Sequence, residues 1–416
     1  MPAESIVSEL LKMIQHEIAE SGGEDLCAKE QRALKIGRLA AQMSLSEMLS
    51  VDEEEPVVVG CSCGDVAKSK EREIRSVVTL AGPHTIRRRK YHCTSCGRWI
   101  VPRDLSLGIG KSNYSPGVIA LTSEVAAGFP FEVSEDFLAR RFGLDLCYKQ
   151  VQRLAERTGA VVAQTEMAQA ARVLAGEEEL VAEQYPSVLT LGADGLRVHS
   201  DGDWTEMKCG SFVSEEHGRS TIASMECSDE FGKLLYLEAV RRGVHHADTV
   251  VFVSDGAVWI WNLVADHFPD AVEIVDWYHA TQHLWEVARA WYGEGKRADA
   301  WVKQNKTRLM EDGVERVISS IKQWRPSDEQ GQKLKHENLH YFRTNAKRML
   351  YATYEANGFY IGSGSVESAC KQYGQGRVKQ AGMRWKRPGI EAIAHLRSAV
   401  LNKRTDNILK GAKLAA

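Results

Sequence analysis

The sequence predicts a multi-domain α/β protein, and three observations predict it. Two cysteine knuckles bracket a pair of β-like runs between residues 61 and 96. A meander of strand-like segments begins at Ser187 and passes into alternating strand and helix. From 281 to 355 the pattern is helical, rich in Trp and charge, and no strand signal returns. At 416 residues the chain is long enough for roughly two to four domains and a sizeable core.

Residues 1–55 read as a helical N-terminal segment closed by an acidic linker, Val51–Pro56. The opening MPAESIVSELLKMIQHEIAE is amphipathic and carries acids. It lacks the basic start and apolar core of a secretion signal, so a cytoplasmic location is expected.

Residues 56–110 read as a zinc ribbon. Cys61-Ser-Cys63-Gly64 and Cys93-Thr-Ser-Cys96-Gly97 are each a pair of thiols followed by glycine, joined by EIRSVVTL, an AGP turn and HTIRRRKYHC. Four thiolates satisfy tetrahedral zinc, and a module this small needs a metal to fold. Buried free thiols, or His84 or His92 in place of one cysteine, are the alternatives. Arg87, Arg88 and Arg89 give the second run a basic face, suited to phosphate contact or to guarding an edge strand.

Residues 111–186 read as a helix-turn-helix followed by a connecting helix that ends at Pro186. Pro116 suits a first helical turn. Ser134, followed by acids, suits an N-cap. Gly143 lies in the turn, and Tyr148–Arg157 forms the second helix. Lys149, Gln152 and Arg153 would face DNA from it.

The remaining chain divides at 187–280, 281–355 and 356–416. SVLTLGADG, WTEMKCGSFVS, RSTIASMEC and GKLLYLEAV are β-rich, and TVVFVSDG and AVEIVD are each followed by a helical pattern. That order fits an RNase H-like catalytic core, interrupted by an all-helical insertion and completed by the last segment with a basic C-terminal helix. The insertion tryptophans Trp285, Trp291, Trp301 and Trp324 suit a core better than base stacking.

Three acids stand in informative places. Asp194 and Asp255 end apolar runs, and Glu367 opens a helix-like stretch in GSGSVESACK. Two carboxylates at strand ends with a third from a distant helix suit a two-metal site for phosphoryl transfer. Blander readings exist: turn chemistry for the aspartates and a helix-dipole contact for Glu367. Asp276 competes with Asp255, since it also ends an apolar run. Asp276 and His279 are three apart on one helix face, as support for the site, as a contact to DNA, or as a buried pair.

With GAD194G, VSD255G, the D276-W-Y-H279 string and GSGSVE367SACK, the chain resembles bacterial insertion-sequence transposases of the Mutator-like, ISKra-type group. Asp255 follows Asp194 by 61 positions, and the D-x-x-H string starts 21 positions later. The resemblance covers the chain from the zinc ribbon to about Arg397. It implies a metal-dependent DDE enzyme in which Asp194, Asp255 and Glu367 hold two Mg²⁺ or Mn²⁺ ions. The expected partner is double-stranded DNA, both element ends and target, bound by a homodimer or larger assembly. A related nuclease that does not transpose and a domesticated DNA-binding protein are the rival readings.

Net charge is −3, so any DNA surface must be local. Lys371, Arg377, Lys379, Arg384 and Lys386 form an acid-free basic run that suits a phosphate track. No run of about 20 apolar residues exists, so no membrane span is expected.

Overall fold

The computed structural model describes residues 3–50 and 56–416; positions 51–55 of the acidic linker lie outside the described residues. The chain forms two compact units. One comprises residues up to Val161 together with Thr405–Ala416, the other Val162–Arg404.

In the first unit, α1 (Ala3–Glu20) and α2 (Leu26–Ser50) are tied by Arg32, which reaches Glu17 at 2.6 Å and Glu24 at 2.7 Å. Next come β1 (Val58–Gly60), β2 (Val66–Thr79), β3 (Gly82–His92) and β4 (Trp99–Ile100), antiparallel and paired in that order. Leu80-Ala81 makes the β2–β3 turn, since Thr79 pairs with Gly82. Val77, Thr79, His84 and Ile86 fill one buried side of this ribbon, and Tyr91 lies in a separate cluster with Cys61, Ala67 and Cys93. After α3 (Pro102–Ser106) come α4 (Pro116–Gly128), α5 (Phe131–Phe142) and α6 (Tyr148–Leu174).

Pro116 opens α4 as expected, with the Ser115 hydroxyl accepting the Val118 N–H. Gly143 ends α5 in the left-handed region, where a side chain would be strained. Ser134 is not an N-cap. Pro130 holds that place, and Ser134 is buried one turn inside, donating to the carbonyls of Phe129 and Pro130. The expected helix 148–157 and its connector are one continuous helix to Leu174; no proline interrupts the stretch, and Gly159 is carried within it. The C-terminal helix Thr405–Ala415, expected with the core, packs instead on α4 and buries Ile408, Ala412 and Ala415.

The second unit is built on a five-stranded mixed sheet: β5 (Val188–Ser200), β6 (Asp203–Ser214), β7 (Gly218–Ser224), β8 (Thr249–Ser254) and β9 (Val272–Val275). The order is β7-β6-β5-β8-β9. The first three strands form an antiparallel meander, and β8 and β9 add in parallel through strand–helix connections. Asp201 and Gly202 both have positive φ, the two-residue turn that matches strand twist, and they form the β5–β6 tip. The helices are α7 (Ser228–Arg241), α8 (Val258–His267), α9 (Trp277–Tyr292), α10 (Lys296–Met310), α11 (Val314–Gln323), α12 (Glu329–Thr344), α13 (Tyr351–Ala356), α14 (Gly364–Tyr373) and α15 (Arg387–Leu401).

Two glycines let helices approach the sheet, one on each face. A Cβ on Gly192 would lie 3.4 Å from Val366 of α14; one on Gly210 would lie 2.5 Å from Leu235 of α7. Side chains alternate along a strand, so these neighbours assign α14 and α7 to opposite faces. The helical insertion shares the core of the sheet. Trp301, Val317, Ile321 and Trp324 are buried in one cluster with Leu191, Val253 and Ile274. Trp285 and Trp291 pack against the same cluster, so all four tryptophans are structural.

Candidate active site and metal centre

The ribbon's knuckles have matched local structure. The Gly64 N–H donates to the Cys61 carbonyl at 3.0 Å, and the Gly97 N–H to that of Cys93 at 2.9 Å. Both glycines take positive φ, which turns the chain back and points paired thiols the same way. The Sγ atoms of Cys61, Cys63, Cys93 and Cys96 all lie within 4.8 Å of one another. Cys61–Cys96 and Cys63–Cys93 are each 3.6 Å apart. Zinc–sulfur bonds of about 2.3 Å imply tetrahedral edges near 3.8 Å, so the donor set fits a structural zinc ion. None of the four is in a disulfide.

In the sheet, Asp194 does not end its strand. β5 continues to Ser200 against β6, whereas its pairing with β8 stops at Gly192–Val253. Asp194 therefore sits where the parallel partner ends. Asp255 follows β8, and each aspartate lies two residues beyond the Gly192–Val253 pair. Neighbouring strands run about 4.8 Å apart, so the two carboxylates start from adjacent positions on one face. The Asp194 Oδ1 accepts the Gly195 N–H at 2.6 Å. The Asp255 Oδ1 accepts the Ala257 N–H at 2.9 Å, the turn chemistry expected of an aspartate there. Burial, with the Asp255 charge adding to it, raises the Asp194 pKa above the usual carboxylate range.

Glu367 arrives on the same face. The Ser365 hydroxyl lies 3.1 Å from that of Ser211, and the Cys370 thiol donates to the Asp194 Oδ2 at 3.7 Å. Cys370 is three residues after Glu367, on the same side of α14. Glu367 itself is half-exposed and pairs with Lys371 at 3.7 Å. Among the described residues, only the four cysteines bring three or more metal-ligating atoms within 4.8 Å of one another. The three carboxylates do not close to that distance.

Asp276 is not exposed to any ligand. It is fully buried at the N-cap of α9, outside the helix whose face it was expected to share. Its Oδ1 accepts the His279 N–H at 2.7 Å, and its Oδ2 accepts the Ser363 N–H. The Trp277 N–H also donates to the Ile361 carbonyl at 2.9 Å. Asp276 therefore fixes the segment that leads into α14 and Glu367. His279 Nδ1 lies 3.5 Å from the Asp276 Oδ1, the main reason the imidazole pKa is raised; the charges of Asp255 and Asp194 add to it. The insertion contributes Tyr341, whose hydroxyl donates to the Asp255 carbonyl at 3.1 Å and whose ring stacks on His283 at 3.7 Å.

The basic candidates divide by burial. Arg88 is held by Glu73 and Asp104, and Arg89 donates to the Ser69 hydroxyl at 3.3 Å, leaving Arg87 as the exposed arginine of that strand. Lys149 and Arg153 are exposed on α6, whereas Gln152 donates to Glu156 at 2.8 Å. Arg377 is fully buried over the Trp385 ring at 5.1 Å, so it cannot line a phosphate track. Lys371, Lys379, Arg384 and Lys386 are exposed. The loop carrying Arg384 is pinned to the β5–β6 tip: the Asp201 N–H donates to the Trp385 carbonyl and the Arg387 N–H to Asp201, both at 2.9 Å.

Sequence reasoning missed Cys370, Ser363 and Tyr341. The spacing of Cys370 from Glu367 could have flagged the first. The other two depend on partners 87 and 86 positions apart in the chain and leave no local mark.

No protein-family model matches the sequence, and no curated protein does. The chain is similar in structure to the Drosophila P element transposase strand transfer complex, at 10% identity over 73% of this chain and 83% of that one, with a TM-score of 0.25. At that score the likeness adds nothing to what the residues support. No described helix is long and apolar enough to cross a membrane.

Proposed function

We propose that this chain is a metal-dependent DDE transposase with an RNase H-like core, Asp194, Asp255 and Glu367 being its catalytic carboxylates. One observation carries the reading: two acids stand two residues past a paired position on adjacent strands, and the helix bearing the third touches Asp194 through Cys370. The strand meander followed by strand–helix–strand supports the same core. When bound, a divalent pair would activate water and stabilise the leaving 3′ oxygen. The chain's own part is to hold three carboxylates on rigid supports, with Asp276 positioning the Glu367 helix. His279 and Tyr341 line the approach to the two aspartates. The ribbon and the α5–α6 pair are the DNA-binding modules in this reading, and the exposed lysines and Arg384 beyond Glu367 track phosphates. Duplex DNA is the partner, engaged by two or more copies.

The test is strand cutting, with Mg²⁺ or Mn²⁺, of a plasmid carrying the DNA that flanks the gene. The wild-type chain is expected to cut and to join the freed end to a second duplex. Asp194→Asn, Asp255→Asn and Glu367→Gln should each abolish cutting while binding DNA as before. Cutting by Asp194→Asn overturns the assignment. Cutting without joining favours the nuclease reading. The half-exposed Glu367, paired to Lys371, favours a third reading, a DNA-binding protein that no longer cuts; inactivity of the wild-type chain in both metals would select it.

A further inference from the structure

Within the first unit, α6 carries Gln150, Arg153, Leu154 and Arg157 at helical spacing along one face, and this face is recessed. The segment from Lys111 to Tyr114 rises beside it, and together they enclose a cleft of about 520 Å³. That volume falls in the ordinary range for small-ligand sites. Lys111, Arg153 and Arg157 bring three cationic groups to its wall, and no carboxylate among the described residues lines it. Tyr114 adds a half-buried aromatic ring. Gln150 is itself fixed, since its side-chain oxygen accepts the Cys147 N–H at 2.9 Å.

The shape decides what can enter. A helix that reads paired DNA protrudes into the major groove. Here Arg153 and Arg157 of α6 line a hollow, which the convex surface of a duplex does not fill, while Lys149 lies outside it. Three cations matched to an aromatic ring are the pairing used on unpaired strands, where phosphate meets charge and a base stacks on a ring.

We propose that this cleft binds one unpaired nucleotide of a nucleic-acid strand, its phosphate among Lys111, Arg153 and Arg157 and its base against Tyr114. The inference rests on the DNA-binding part of the proposed function and adds a ligand class to it: a strand end or an extruded base, as arises wherever strands are cut or opened.

The experiment compares two DNA duplexes of the same sequence, one fully paired and one with a short overhang bearing 2-aminopurine. The full chain is expected to bind the overhang form at least about tenfold more tightly and to change the 2-aminopurine fluorescence, as stacking on an aromatic ring would. Lys111→Glu, at an exposed position, and Tyr114→Ala should erase that preference while leaving affinity for the paired duplex within about threefold. Tyr114→Phe should retain it, which separates stacking from misfolding. Equal loss on both duplexes, or an unchanged preference in Lys111→Glu, overturns the inference. Binding of the paired form without any preference overturns it alone, whereas binding of neither form overturns the DNA reading as well.

Discussion

Asp276 shows how one buried carboxylate holds distant backbone in place, outside the three acids proposed as ligands. Both of its oxygens are committed to backbone N–H groups, of His279 and Ser363. Burial alone would raise its pKa; the hydrogen bonds from His279 and Ser363 more than offset that and lower it. Replacement by alanine leaves two N–H groups facing an emptied pocket, at about 1–3 kcal/mol for each left unpaired. Asp276→Ala should therefore lower the unfolding midpoint in denaturant and also abolish strand cutting, because the entry to α14 loosens. A variant with wild-type cutting would deny Asp276 its positioning role. Asp194 makes a separate prediction. Its neighbour Asp255 and its own burial oppose its charge, and a divalent cation relieves both. Millimolar Mn²⁺ should raise the melting temperature of wild-type protein and not that of Asp194→Asn; an equal rise in both would place the ion elsewhere.

At the scale of elements, the ribbon and the α15 packing are the clearest cases. The ribbon's hydrophobic cluster is small, holding Cys61, Ala67, Tyr91 and Cys93. A zinc ion held by the four thiols would supply what that core lacks. Cys93→Ser, or a strong chelator, should release one zinc ion per chain and leave Val66–His92 open to protease; protection unchanged after zinc loss would contradict this. On α15, His395 is buried between Glu166, at 2.5 Å from Nδ1, and Glu391, at 2.9 Å from Nε2. Burial alone would lower its pKa, but the two carboxylates hold it up to about 10. The folded value lies above the unfolded value of about 6.5, so the stabilisation is complete below that pH and is lost as pH rises through about 10. Wild-type stability should fall across that window. His395→Gln should be less stable by about 3–5 kcal/mol at neutral pH, with that slope removed. A wild-type profile flat from pH 7 to 10 would refute the ion pairing.

Most elements with strong local signals were legible in the sequence, but GKLLYLEAV, expected as a strand, is the body of α7, which buries Phe231, Leu234, Leu235 and Leu237 along a helical face. β5 and β8 follow from apolar runs, and the ribbon turn lies beside the expected AGP, at Leu80-Ala81. What was not legible depended on partners distant in the chain. Arg377 reads as one more cation in a basic run, and only the Trp385 ring above it reveals a buried role. Arg88 reads as a phosphate ligand until Glu73 and Asp104 are brought beside it. The C-terminal helix was expected with the core, yet its apolar face belongs to α4. Of the candidate site, the three acids are proposed from the sequence; the Asp276–Ser363 bond that leads into the helix of Glu367 left no mark there.

At the scale of the whole molecule, a net charge of −3 means that affinity for a polyanion must come from restricted surfaces. The exposed Arg384 and Lys386 lie on the loop held to the β5–β6 tip, so they move as one piece with the sheet that carries Asp194. Reversing both should weaken duplex binding. It should also reduce the salt slope of log K by up to about 0.9 for each phosphate that is no longer neutralised. Affinity unchanged across salt would exclude that loop from the interface.

The bond from the Ser363 N–H to Asp276 also has a consequence in time. A ribosome making this chain completes Asp194 and Asp255, and then all of the insertion, before it reaches residue 363. Until then the Asp276 Oδ2 has no Ser363 N–H to accept, and the helix of Glu367 does not exist. In the proposed function, a nascent or truncated chain can carry a folded ribbon and still hold no complete set of carboxylates. Strand cutting would then wait for the synthesis of α14.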